Sequence, residues 1–281
     1  MERQYIFIIA GLGILLLLFV YGKNPGIKYN FIVTSEVKAE IEPCGGVIYA
    51  SNGTINYKLG EPFKSGERCT WTIHSPNATK ISFQVVENGF IQSNMEVLKV
   101  GYFLDSDYKT IGNYQEVVLN YSSYNNSVDV PGPVAFVRFH PMSLTGLGFS
   151  LVFSSVSSGI SLPFKYRNFH VSSTYGKINY PGHGKSYQPL ERVTILLNPP
   201  VSATLALKYF YGDCGVQQDY LSIYKWGRYG YNDDSLNLLQ QFCNSSISSI
   251  PSWTIQSTEV LITFHSSISG KNRGFEFIWV P

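Results

Sequence analysis

The sequence predicts an all-β chain of two consecutive antiparallel β-sandwiches behind an amino-terminal hydrophobic segment. Three observations predict it. A ten-residue stretch occurs twice, short runs alternate apolar with polar residues between turn formers, and the composition favours strands. Its 20 Tyr and 18 Phe, with no long Ala/Leu/Glu/Lys run after the apolar leader, are the profile of sheets rather than helices.

The repeat comes first because it sets the domain count. Glu67-Arg68-Cys69-Thr70-Trp71-Thr72-Ile73-His74-Ser75-Pro76 returns as Glu191-Arg192-Val193-Thr194-Ile195-Leu196-Leu197-Asn198-Pro199-Pro200, 124 positions later. Gly53-Thr54-Ile55-Asn56-Tyr57 and Gly176-Lys177-Ile178-Asn179-Tyr180 are 123 apart, Phe139-His140 and Phe264-His265 are 125 apart, and Gly148-Phe149 and Gly274-Phe275 are 126 apart. Matches in one order at nearly constant spacing mean two copies of one domain. A chain of 281 residues, less its leader, leaves room for two domains of ordinary size.

In chain order, residues 6–22 are an uncharged apolar run, so residues 1–22 read as a signal peptide or an uncleaved signal anchor. Lys23 and Lys28 nearly balance Arg3 and the amino terminus, so charge does not choose between them. Either reading sends the rest of the chain into the secretory pathway. Residues 23–43 are a linker, 44–154 the first sandwich, 155–165 a Ser-rich second linker and 166–281 the second sandwich. In the first, strands are expected at 70–73, 81–85, 96–100, 134–139 and 148–153. In the second they are expected at 193–197, 204–209, 220–224, 260–264 and 275–280. Turn formers such as Ser75-Pro76-Asn77 and Pro131-Gly132-Pro133 separate them.

The bulk properties exclude one class of function. A net charge of +2 with no basic run argues against nucleic-acid binding, which needs clustered cations. The four cysteines, two per copy, suit disulfides in an oxidising compartment, although four cysteines permit three pairings. Their separations of 25 and 29 residues offer no zinc spacing. Asn-x-Ser/Thr sequons begin at Asn52, Asn77, Asn120, Asn125 and Asn244 and point to N-glycosylation.

Catalysis has little to stand on. None of the histidines sits in a recognisable nucleophile, metal or acid–base motif, and no Gly-x-Ser-x-Gly elbow is present. Gly182-His183-Gly184-Lys185-Ser186 ends like a phosphate-binding loop, but Asn179 stands where its first Gly belongs. His140 and His265 recur at equivalent points, which fits a structural role. The candidate binding patch is Tyr224, Trp226, Arg228, Tyr229 and Tyr231, residue types that concentrate interface energy. The competing reading is a strand end on the sandwich rim.

These residues resemble the CUB family, an extracellular β-sandwich of jelly-roll type. The first copy carries Cys44, Gly53-Thr54-Ile55, Cys69-Thr70-Trp71-Thr72-Ile73, Glu96-Val97-Leu98-Lys99-Val100 and Gly148-Phe149. The second carries Gly176-Lys177-Ile178-Asn179-Tyr180-Pro181, Cys214, Asp219-Tyr220-Leu221-Ser222-Ile223, Cys243, Phe264-His265-Ser266 and Gly274-Phe275. The resemblance implies the bridges Cys44–Cys69 and Cys214–Cys243, one surviving in each copy. It also raises calcium, which many CUB domains bind through converging carboxylates. Asp213 and Asp219 are the candidates, but Ser267 and Met142 replace the last acidic ligand in the two copies, so no cofactor is expected.

The expected function is therefore non-catalytic recognition of an extracellular protein or glycan by a secreted or type II membrane-anchored glycoprotein. Membrane contact would run only through the amino-terminal segment. A structural component of innate defence or matrix, and a secreted enzyme with an unlisted site, are the rival readings.

Overall fold

The computed structural model describes residues 9–10, 13–14, 44–89, 97–104, 114–119, 127–141, 145–157, 159, 163–182, 184–199, 202–212, 218–226, 236–243, 251–255, 259–269 and 272–281. Within residues 1–37 it describes one short antiparallel pairing, β1 (Ile9–Ala10) with β2 (Gly13–Ile14). The rest of the apolar segment 6–22 lies outside the described residues, as do the first expected linker, 23–43, and residues 158 and 160–162 of the second. Among the described residues, no helix is long and apolar enough to cross a membrane.

From Gly46 onward the described elements are strands. The first copy contains β3 (Gly46–Tyr49), β4 (Asn52–Phe63), β5 (Cys69–His74), β6 (Ala78–Asn88), β7 (Leu98–Phe103), β8 (Tyr114–Val118), β9 (Val128–Pro131), β10 (Val134–Phe139) and β11 (Gly146–Ser157). They form a five-stranded sheet in the order β3-β5-β10-β7-β8 and a four-stranded sheet in the order β4-β11-β6-β9.

The second copy contains β12 (Lys165–Val171), β13 (Gly176–Tyr180), β14 (Glu191–Leu197), β15 (Ala203–Tyr211), β16 (Tyr220–Trp226), β17 (Leu236–Phe242), β18 (Ser252–Ile255), β19 (Glu259–His265) and β20 (Gly274–Val280). Its sheets run β12-β14-β19-β16-β17 and β13-β20-β15-β18. The two orders are the same strand for strand, so the sequence repeat is a repeat of topology.

Pairing departs from the expected antiparallel pattern at one place in each copy. β3 runs parallel to β5, and β12 parallel to β14. The chain leaves the larger sheet after β3, traverses the smaller sheet as β4 and returns as β5. Two reversals restore the original direction. Alternating hydrophobicity shows that a strand is half-buried and carries no information about its neighbour's direction.

Each sandwich buries the inward half of its strands. In the first, Ile55, Trp71, Ile73, Phe83, Val137, Phe139, Phe149 and Leu151 are almost fully buried. Trp71 meets Phe149 edge to face at 6.0 Å, a geometry aromatic quadrupoles favour. In the second, Ile195, Leu205, Ile223, Ile262, Phe264, Phe275 and Phe277 fill the equivalent space.

A third apolar cluster spans the two sandwiches. Phe103, Val134 and Phe136 of the first meet Leu196, Tyr224, Trp226, Leu236 and Leu261 of the second. All of these stand on the outer faces of the two five-stranded sheets, so those sheets stack against each other and residues 38–281 make one compact unit. This corrects the half-buried reading of the central strands. β5, β10, β14 and β19 are buried along their whole length because the other copy covers their second face.

Candidate functional site

In a strand, residues two apart share a face. Once Trp71, Ile73, Val137 and Phe139 point into the first core, Thr70, Thr72, His74, Phe136 and Arg138 must point out of it. The same alternation turns Thr194, Leu196, Tyr224, Trp226, Glu259 and Leu261 out of the second. The stacked sheets bring these two sets together.

The apolar part of the junction centres on Trp226. Its ring meets Phe136 at 6.0 Å and Tyr114 at 6.2 Å, both edge to face, and Phe103 meets Tyr224 at 6.2 Å. The Arg138 guanidinium lies over the Trp226 ring at 4.5 Å. A guanidinium over an indole face is attracted by the ring quadrupole, more strongly where water is excluded.

Arg138 also anchors the charged part. Its Nη1 donates to Glu116 Oε1 at 2.9 Å, and its Nε is 3.7 Å from Glu259 Oε2. Lys99 Nζ stands 3.8 Å from Glu116 Oε2. Thr70 Oγ1 donates to the Glu259 carboxylate at 2.7 Å, and Asn198 Nδ2 donates to it at 3.3 Å. Two cations and two carboxylates thus balance inside the molecule. Buried ions are tolerated when paired and hydrogen-bonded in this way, and losing one partner leaves an uncompensated charge.

A neutral chain of hydrogen bonds runs beside the ionic one. Thr194 Oγ1 donates to Asn168 Oδ1, which leaves Asn168 Nδ2 to donate to His74 Nδ1 at 3.1 Å across the junction. Tyr49 Oη donates to the Asn168 carbonyl at 3.0 Å. The His74 ring sits 5.3 Å from that of Tyr49 and 5.7 Å from that of Tyr166. Burial holds its pKa down to about 4, so the imidazole is neutral and accepts at Nδ1.

A second polar cluster lies within the second sandwich. Asp219 is fully buried; Tyr187 Oη donates to its Oδ2, and the Ser267 N–H donates to Oδ1 at 2.7 Å. Burial first, and the hydrogen bond to Asp219 second, push the Tyr187 phenol far above its ordinary range. Ser267 therefore ties its loop to Asp219 from the position where an acidic ligand was looked for. Asp213, Glu96 and Met142 lie outside the described residues. Among the described residues no three His, Cys, Asp or Glu side chains converge, and this donor set does not fit a calcium ion, which takes several oxygen ligands.

The duplicated Glu has the same job in both copies. Tyr57 Oη donates to Glu67 Oε2 at 2.6 Å with Lys58 paired to the same carboxylate, and Tyr180 Oη donates to Glu191 Oε2 at 2.7 Å with Arg167 at 3.3 Å. The repeated stretch thus supplies a tyrosine–carboxylate clasp between the sheets of each sandwich.

The remaining expected residues are placed as follows. Cys44 and Cys69 are joined by a disulfide. Cys243 follows β17, half-buried and as a free thiol, so the expected second bridge is not formed here; its expected partner Cys214 lies outside the described residues. Asn52 and Asn77 are exposed, at the start of β4 and in the turn before β6; Asn120, Asn125 and Asn244 lie outside the described residues. Gly182, Gly184 and Ser186 belong to the connection from β13 to β14, which leads into a strand and not the helix a phosphate loop requires.

The expected binding patch needs correcting in part. Tyr224 is 0% and Trp226 1% exposed, sealed against the first sandwich and unable to meet an outside partner. Arg228, Tyr229 and Tyr231 lie outside the described residues. The aromatic and basic character was legible, and the partner of those two aromatics is the other half of the same chain. The sequence reading missed Arg138, Glu116, Glu259, His74 and Asn168 altogether. A signal was available in β10, whose outward positions read Val134, Phe136, Arg138. Two large apolar residues on a supposed solvent face mark a strand covered on both sides.

No protein-family model matches the chain. Cubilin from the rat is 23% identical over 262 residues, which covers 84% of this chain and 6% of cubilin. The chain therefore spans a small fraction of that relative's length. Among solved structures, the CUB1-EGF-CUB2 domain of human MASP-1/3 is 17% identical with a TM-score of 0.32, covering 82% of this chain and 99% of that one. The full extracellular region of zebrafish Gpr126/Adgrg6 is 11% identical with a TM-score of 0.30, covering 84% of this chain and 36% of that one.

Proposed function

We propose that this chain, a CUB-domain protein with two stacked modules, is a non-catalytic extracellular recognition unit that binds a protein partner. The carrying observation is that the similarity to cubilin covers 84% of the chain and so extends over both sandwiches. The stacked arrangement supports the reading in a specific form. The outer faces of both larger sheets are spent on each other, so recognition falls to loops, strand edges and the smaller sheets. On the second smaller sheet Tyr211 is 39% exposed and its ring contacts Tyr209 at 5.3 Å; Tyr175, the residue before β13 of that sheet, is 71% exposed. Aromatics facing water are the residue types that anchor interfaces. A glycan partner draws on the same exposed rings.

In this reading the apolar amino-terminal segment delivers the chain to the secretory pathway, and the chain is released or held at the membrane by that segment. Calcium is not part of this reading, in which Asp219 is held by the Tyr187 hydroxyl and the Ser267 N–H. The test is expression of a carboxy-terminally tagged chain in animal cells, followed by capture of partners from extracellular fluid. The reading expects export and a saturable partner whose binding weakens when Tyr175 and Tyr211 are changed to Ala. A chain kept in the cytosol with free thiols would overturn it.

A further inference from the structure

The sequon Asn52-Gly53-Thr54 opens β4, the edge of the first copy's smaller sheet. Its middle residue is turned inward, where a Cβ on Gly53 would lie 2.8 Å from the Phe153 ring. Ile55, two residues on and on the same face, is fully buried. Asn52 and Thr54 therefore share the outward face. Asn52 is exposed, so the acceptor amide and the hydroxyl that must accompany it stand together on an open sheet surface.

What surrounds them is unusual for a solvent-facing sheet. Register puts Asn52 opposite Ser154 and Ser154 opposite Ser82; the next row is Thr54, Val152 and Gln84. Across β4, β11 and β6 both rows are uncharged, and short polar side chains dominate. Charges border the patch: Asp129 on β9 stands opposite Ser82, accepts from its hydroxyl at 2.5 Å and pairs with Lys80 at 2.8 Å, Glu87 stands opposite Ser150 in the following row, and Lys58 lies further along β4. The hydroxyls and amides of this three-strand patch, with one aliphatic side chain between them, match the alternating hydroxyl, amide and C–H surfaces of N-acetylhexosamines. Rows two residues apart are about 7 Å from each other and strands about 4.8 Å, so this patch is within reach of the first sugars linked to Asn52.

We propose that Asn52 carries an N-linked glycan whose inner sugars lie across this face, from Asn52 over Val152 to Gln84, and close it to protein partners. The proposal rests on the secretory-pathway reading above. In the transfer, Asn52 Nδ2 forms a bond to the anomeric carbon of a polyprenyl-diphosphate-linked oligosaccharide. The bond from that carbon to the diphosphate oxygen breaks, the polyprenyl diphosphate leaves with the electron pair, and the amide proton goes to a base. The glycan at Asn77 would instead spring from the turn before β6 and leave the face uncovered. The smaller sheet of the second copy has no sequon on its strands, so recognition is directed there.

The test uses the full chain secreted from animal cells. Glycopeptide mass spectrometry reads occupancy at Asn52, and hydroxyl-radical footprinting reads oxidation of Val152 before and after peptide-N-glycanase treatment of the folded protein. Occupancy at Asn52 with a several-fold rise in Val152 oxidation after glycan removal is the expected result. Thr54→Ala should reproduce the rise without enzyme, Thr54→Ser should not, and Asn77→Gln should leave Val152 protected. A bare Asn52 on a chain glycosylated at other sequons overturns the proposal alone. So does equal Val152 oxidation with and without the glycan. A chain with no sugar at any sequon, retained in the cytosol, overturns the compartment reading and this proposal with it.

Discussion

Replacing Trp226 by Ala tests whether the junction of the two larger sheets contributes to stability. Trp226 is 1% exposed, and truncating a buried aromatic of that size costs about 3 to 5 kcal/mol in lost burial and residual cavity. Arg138 would also lose the ring 4.5 Å beneath its guanidinium, about 1 to 2 kcal/mol in a site closed to water. The sum is about 5 kcal/mol. Folding units of this size lose about 2 to 4 °C of Tm per kcal/mol, so the variant should melt about 10 to 20 °C lower. Thermal unfolding followed by near-ultraviolet circular dichroism measures this directly. Tyr175→Ala, at a side chain 71% exposed, is the matched control and should stay within about 0.5 kcal/mol of the parent. A Trp226→Ala variant that melts with the control would refute the reasoning, because a rim tryptophan, not a buried one, behaves that way.

Other consequences follow from the same geometry. His74 is neutral in the fold with a pKa of about 4, whereas an unfolded chain takes the proton near 6.5. Stability from this group is therefore intact above pH 6.5 and drains away as pH falls toward 4. The loss is about 3 kcal/mol, and urea titrations of the parent and His74→Gln across that window should converge at the acid end. Cys69→Ser opens the loop closed by the Cys44–Cys69 bridge, with 25 residues of separation, and should cost about 3 to 4 kcal/mol by denaturant midpoint. Asp219→Asn unbalances the donors from Tyr187 and Ser267, and should lower Tm equally in chelator and in excess calcium. A calcium-dependent difference would restore the metal reading of that position.

The strands and their repetition were legible because a half-buried strand writes its period into the chain. Ile81, Phe83 and Val85 of β6 are buried and alternate with Ser82 and Gln84, which point the other way. Pairing direction was not legible, since β3 carries no mark of the detour through β4 that makes it parallel to β5. The junction was not read because Thr70, Thr194 and Glu259 are the residue types expected on a wet surface. Only the neighbouring copy makes them buried, and one-dimensional patterns do not contain that neighbour. Tyr224 and Trp226 were noticed for the right chemistry and given the wrong partner for the same reason. Asp219 stood out through its motif, while the donors that satisfy it come from Tyr187 and the backbone of Ser267, which no motif links to it.

The two modules join face to face, and a double-mutant cycle between Arg138 and Trp226 tests that contact across the two copies. Arg138→Ala, Trp226→Ala and the double variant would be compared by chemical denaturation. Residues in contact couple, and the guanidinium over the indole predicts a coupling energy of about 1 to 2 kcal/mol. Single effects that add to within about 0.5 kcal/mol would mean that the two side chains do not meet, and would contradict the stacked arrangement.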